Sequence, residues 1–234
     1  GNNSFVYLAH PELTDYNNIF TLPYAAGADD AVVGTALESC PANSTSLAYN
    51  NPGTSMDFID SYKILLSKGY HVGPLIDHDN HNMTFGRTAR TRTAIIAPEL
   101  TETAILQAMR QMRFYATQDC NAKINFTISG QQMGSIMLRS GAPVISAQLQ
   151  TASPVVTVKI MYGVPGSNIF PAQLASLSGN NITYTDTDLA NFGARYYYLD
   201  ITEADGSRIV TAPVWYTRVD GTLASRGFTS FTAM

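Results

Sequence analysis

The stretch GYHVGPLIDHDNHN, residues 69–82, passes from a glycine stop through an apolar run of strand length into a cluster of two Asp and two His. Upstream of it, Phe58, Ile59, Tyr62, Leu65 and Leu66 recur at helical spacing, with Ser55 as cap and Gly69 as terminator. This helix feeds a strand over His71–Ile76. A helix delivering the chain into a buried strand is the unit of a parallel α/β sheet. Phe5–Ala9, ending in His10-Pro11-Glu12, and Ala31–Leu37, ending at Glu38, read as two further strands. Chemistry in such sheets collects at the carboxyl ends of strands, where His10, Glu38 and Asp77–His81 all fall.

Beyond the quoted stretch, Thr93–Ala97 reads as a short strand, and Thr101 caps a helix running to about Tyr115, with Ile105, Met109 and Met112 on one face. From Lys123 the character changes. Ile124–Ile128, Val144–Leu149, Val155–Tyr162, Ile182–Thr185, Tyr196–Thr202 and Arg208–Tyr216 are short strand-like runs. Turn signals at Ser140-Gly141, Gly163, Ser178-Gly179 and Asp205-Gly206 separate them. Strands at this spacing predict an antiparallel β-sandwich over 121–234, following an α/β portion over 1–120.

Of the 234 residues, 45% are hydrophobic and 14% charged, so a core is available beneath a surface of Asn, Ser, Thr, Gln and Tyr. A net charge of −4 gives no electrostatic basis for nucleic-acid binding, and Arg87, Arg90 and Arg92 form too small a cluster to supply one. No apolar run reaches the ~20 residues of a membrane span. No signal peptide is visible, and the leading Gly1 resembles a cleaved-tag scar, so the natural chain is expected to begin earlier. Cys40 and Cys120 form no CxxC unit, which argues against a thiolate zinc site; they read either as an exported pair or as free thiols. The low charge leans towards a soluble periplasmic or extracellular protein.

In extended backbone alternate side chains share a face, so Asp77, Asp79 and His81 can converge while His78 points away. A carboxylate and an imidazole on a strand end can close on one divalent ion. His10, at another strand end, is expected to approach within about 5 Å of that pair, given ligand bonds of ~2.0–2.2 Å.

VYLAHPE, DDAVVGTALE, GYHVGPLIDHDNHN, GRTARTRTAIIAPELTETAILQAMRQMRFYAT and FTISGQQMGS together resemble the PHP-domain (polymerase and histidinol phosphatase) metallohydrolases. The nearer likeness is to their carbaryl-hydrolase-like branch. The resemblance covers about residues 5–135, and its most specific parts are residues 79–82 and Arg92-Thr93. It implies the C-terminal portion of a distorted (β/α)7 barrel followed by an immunoglobulin-like antiparallel sandwich. It also implies His10, Asp79 and His81 as ligands of divalent metal ions, with Zn, Mn or Fe as candidates. Glu38 and Arg92 would stand behind the ligands or meet substrate; Asp77 and His78 stand where that family varies, and a solvated loop is favoured for them over such a role. For Arg92, an oxyanion-binding role and a structural role on the rim both stand.

This chain lacks the early His-x-His of that family. The resemblance therefore implies a hydrolase of a small-molecule phosphoester or related ester, present as a fragment that is inactive alone, with homo-oligomerisation open. The reading from another class is a non-catalytic exported binding or structural module. In that reading Tyr184, Tyr196–Tyr198 and Tyr216 could form a contact surface, although alternating core and surface positions explain them as well.

Overall fold

The computed structural model describes residues 4–39, 55–84, 86 and 89–221. Cys40, Arg87 and the tail from 222 lie outside the described residues. The chain is mostly β-sheet with few helices.

Three strands, β1 (Val6–Leu8), β2 (Val32–Ser39) and β3 (Gly73–Asp77), form a parallel sheet in the order β1-β2-β3. A short α1 (Ala26–Asp29) precedes β2, and α2 (Ile59–Lys68) precedes β3. The expected helix is present, although its cap position is Phe58 rather than Ser55 and carries no side-chain capping bond. Its apolar stripe Tyr62, Leu65 and Leu66 is fully buried. Gly69, at φ 105°, ends it in left-handed geometry that glycine adopts without steric cost.

Next come β4 (Arg92–Ile95), α3 (Glu102–Arg110) and β5 (Phe114–Thr117). The Thr101 side chain accepts from the Ala104 amide at 3.3 Å, the expected cap. The helix does not run to Tyr115. Met112 takes φ 52°, breaking the helical path, and the β-favouring Phe114 and Tyr115 then pair with β4.

The remaining strands are β6 (Lys123–Ile128), β7 (Gln131–Gln132), β8 (Ile136–Arg139), β9 (Val144–Gln150), β10 (Val155–Gly163), β11 (Ala172–Leu177), β12 (Asn181–Thr185), β13 (Ala194–Glu203), β14 (Arg208–Thr211) and β15 (Val214–Arg218). The run expected over Arg208–Tyr216 is split at Pro213, which has no amide hydrogen to offer a ladder. One sheet runs β11-β10-β13-β14-β5-β4, with β15 on β13 and β8 on β15. The other runs β12-β9-β6-β7. Pairing in these two sheets is antiparallel except between β15 and β8, which are parallel. In the smaller sheet Ile124, Phe126, Ile128, Ile145, Ala147 and Leu149 alternate inwards, into the same core as β13 and β14. Tyr196, Tyr197, Tyr198 and Tyr216 are buried there, so these four form no contact surface, while the half-buried Tyr184 packs against the same core.

The large sheet crosses the position near 120 where the α/β and β portions were expected to part, because β5 pairs with β14. The parallel sheet is stitched to it at β3. The Thr93 hydroxyl on β4 accepts from the Ile76 amide at 2.9 Å and donates to the Ile76 carbonyl at 3.0 Å. One side chain thus satisfies both main-chain groups of a buried residue on a sheet edge. Alongside, Gly73 lies so close to Phe114 that a Cβ would stand 2.5 Å from the ring. Tyr62 of α2 meets Tyr198 of β13 edge-on, with ring centroids 5.6 Å apart.

Replacing Thr93 by Val keeps the shape and removes the hydroxyl, leaving both Ile76 groups unpaired. Urea denaturation should show a loss of about 1–3 kcal/mol, whereas Thr93→Ser should retain most of the stability. Equal losses for the two variants would show that shape, not the hydrogen bonds, holds this edge.

Candidate metal centre

The parallel sheet places His10, Glu38 and Asp77 at or just past the carboxyl ends of β1, β2 and β3. Extended backbone stops at Asp77. Asp79 has φ 44° and its amide donates to Asp77 Oδ1 at 3.2 Å, an Asx turn. A second such turn follows, with the Asn82 amide donating to Asn80 Oδ1 at 3.2 Å and Asn80 Nδ2 donating to Thr84 Oγ1 at 2.8 Å. The alternation that would carry Asp77, Asp79 and His81 on one strand face therefore does not apply past Asp77. Short Asp and Asn side chains bonding their own backbone compete successfully with the strand.

The turn still brings Asp79 and His81 together, with His81 Nδ1 3.7 Å from Asp79 Oδ1. His81 Nδ1 also lies 2.7 Å from the Asp79 main-chain carbonyl, which can only accept. A proton on Nδ1 satisfies that carbonyl, and in the neutral ring it leaves Nε2 as the acceptor nitrogen of an exposed side chain. A metal-binding histidine is held in this way. His78 has the opposite tautomer: its Nε2 donates to the Thr91 carbonyl at 2.6 Å. That bond ties the quoted loop to the strand that follows.

Glu38 is buried, at 1% exposure, and accepts from Gln118 Nε2 at 2.9 Å. The Arg92 guanidinium donates to the carbonyls of Ala89, Thr91 and Gly86 at 2.5, 2.7 and 2.7 Å. These bonds shape the loop that returns from the cluster. His10, exposed at φ 31°, follows Ala9, whose carbonyl accepts from Tyr16. Burial foremost, with the Asp77 carboxylate adding, raises the Tyr7 phenol above its ordinary pKa; Tyr16 is raised by burial, then Asp15 and Asp77. Tyr7, Tyr16 and Asp77 thus sit within electrostatic reach at one end of the sheet.

Among the described residues, no group of three or more His, Cys, Asp or Glu is placed to hold a metal ion, so His10 and the Asp79/His81 pair are not gathered into one set. Two donors fall short of the three or four protein ligands of a zinc site.

Sequence reasoning missed a different histidine. His71 donates its amide to Asp29 Oδ1 at 2.6 Å and sets Nδ1 2.8 Å from Asp29 Oδ2. Its ring lies 4.8 Å from that of Trp215 on β15, and Tyr24 donates to Asp29 Oδ2 at 2.8 Å. Burial works to raise the Asp29 pKa, but the His71 ring and amide, with Tyr24, outweigh it and hold the carboxylate below its usual range. The only signal was composition, a paired Asp29-Asp30 before β2 and a polar His71 at the mouth of a buried strand. The two partners are 42 residues apart, beyond any local pattern.

No family model matches the chain. An uncharacterized protein of Chlamydia trachomatis serovar D is 25% identical over 179 residues, which is 67% of this chain and 28% of that protein. The chain thus spans little more than a quarter of that relative's length. The crystal structure of pectate lyase PelI from Erwinia chrysanthemi in complex with tetragalacturonic acid covers 40% of this chain and 28% of its own at 16% identity, with a TM-score of 0.30. A likeness that slight carries no argument.

An acid whose folded pKa is depressed contributes stability above its unfolded pKa, and that contribution is lost as pH falls through the folded value. Asp29→Asn should therefore destabilise the protein by about 1–3 kcal/mol near neutral pH. The gap between variant and wild type should close as pH falls below the ordinary carboxylate range, read by the Trp215 fluorescence transition. A gap constant across that range would remove the charge from the explanation.

Proposed function

We propose that this chain supplies the strand-end part of a divalent-metal hydrolytic site of the PHP type, acting on a phosphoester or related ester. The supporting observation is the Asp79/His81 pair, with His81 Nδ1 turned to the Asp79 carbonyl and Nε2 left with its lone pair. A partial (β/α)7 barrel and an immunoglobulin-like sandwich belong to the same reading, as does a periplasmic or extracellular location. Three parallel strands with candidate ligands at their carboxyl ends are compatible with it.

Asp79 and His81 would hold a zinc, manganese or iron ion, with His10 joining them when further ligands draw the strand ends together. Such an ion lowers the pKa of bound water and neutralises charge on a phosphate or ester oxygen. Asp77 and His78 keep the ligand-bearing turns in place, Arg92 fixes the returning loop, and Glu38, held by Gln118, would stand behind the ligands. The second reading, a non-catalytic module, is favoured by one observation: the described residues bring no third donor to the pair.

Isothermal titration with Zn or Mn should reveal one weak site on this chain, lost in His81→Ala and Asp79→Ala and unchanged in His71→Ala. The chain should give little turnover of a chromogenic phosphoester with either metal added. Binding indifferent to His81→Ala would sink the metal reading, and robust turnover would show that the site is complete as it stands.

A further inference from the structure

Three turns meet at the far end of the large sheet, and two carboxylates lie between them. The Ala152 amide donates to Asp119 Oδ2 at 2.7 Å, and the next amide, Ser153, donates to Glu203 Oε2 at 3.2 Å. Successive amides of one turn thus hold the two carboxylates side by side. Asp119 Oδ1 accepts from the Asn121 amide at 2.8 Å, closing the β5–β6 turn. The Ala204 amide donates to the Pro154 carbonyl at 2.9 Å, which joins the β13–β14 turn to the β9–β10 turn.

Glu203 is 2% exposed and Asp119 7%. Among the described residues, Glu203 Oε1 is buried with no hydrogen-bond partner. A bare carboxylate oxygen, out of water and beside a second carboxylate, is costly, and a proton on it removes both the charge and the repulsion.

We propose that Glu203 keeps its proton in the fold beside the Asp119 carboxylate, and that this pair is a pH-operated latch on the three turns. The neutral Glu203 carboxyl holds it in an O–H bond and sets no second charge beside Asp119. When that O–H bond breaks, the proton passes to solvent, two buried negative charges face each other, and the turns loosen.

Burial first, then Asp119, push the Glu203 carboxyl up to about 7, with Asp205 adding and the Ser153 amide opposing. Among the described residues, the charged groups that act on Glu203 are Asp119 and Asp205, both acidic. Residues 151–154 of the β9–β10 turn are uncharged, the β13–β14 turn contributes Asp205, and Cys120 of the β5–β6 turn is exposed. An acid whose pKa is raised on folding binds its proton more tightly when folded, so stability falls as pH rises from the unfolded value through the folded one.

The test compares wild type with Glu203→Gln by thermal unfolding from about pH 5 to pH 8.5, with the exchange of the Ala152 and Ser153 amides followed in parallel, each with calcium or EDTA. The carboxamide of that variant can donate permanently where the proton was. The folded-to-unfolded ratio of wild type, relative to the variant, should fall roughly tenfold to a hundredfold across the neutral range. The two amides should lose protection there in wild type alone. If Glu203→Gln does not fold, Asp119→Asn carries the same comparison. A wild type that tracks the variant at every pH overturns the latch. So does a calcium-dependent rise in wild-type melting temperature at alkaline pH, which would make the pair a cation site.

Discussion

The arrangement depends on how the parallel sheet ends at β3. A buried parallel strand needs partners for its main chain on both sides, and among the described residues β3 has a strand on one side only. Thr93 resolves this with one hydroxyl bonded to both the amide and the carbonyl of Ile76. Because Thr93 sits on β4, which pairs with β5 and through it with β14, the same contact anchors the parallel sheet to the large sheet. The turns that carry Asp79 and His81 begin directly past this anchored residue. Their position is thus fixed by a hydrogen bond and the Gly73–Phe114 packing beside it, rather than by the flexible-looking Asn- and Asp-rich sequence itself.

The two histidines of opposite tautomer follow from the same logic. His78 donates from Nε2 to the β4 side of the seam, while His81 donates from Nδ1 to the carbonyl of its own turn. Neighbouring residues of one type are divided into different tasks by which carbonyl each ring meets. His71, at the other end of β3, is held by Asp29 and packs against Trp215, so a second contact ties the parallel sheet to β15.

Much of this fold was legible in the sequence because its elements announce themselves locally. The 3.6-residue spacing before Gly69 and the alternation in Lys123–Ile128 and Val144–Gln150 each encode one buried face. Less legible were elements whose identity is decided at a distance. Phe114 and Tyr115 continue the helical pattern of α3, yet pairing with β4 and β14 makes them strand. β8 and β11 expose much of their side-chain surface and exist through pairing with β15 and β10. At the site, the grouping of Asp79 with His81 was visible, but the Asx turns that achieve it were not: the same Asp and Asn residues suit an extended loop equally well until their backbone partners are known. Thr93 gave no sign of its double bond to Ile76, because 17 residues and a loop separate them.

The central claim is that the parallel sheet and the β-rich remainder unfold as one body joined at this seam. Trp215, the sole tryptophan, lies against His71 across it, so its fluorescence reports the junction. The direct measurement is equilibrium urea unfolding followed by Trp215 fluorescence and by far-UV circular dichroism on the same samples. A single body gives coincident transitions with one midpoint. A fluorescence transition completed while most of the β signal persists would contradict the account.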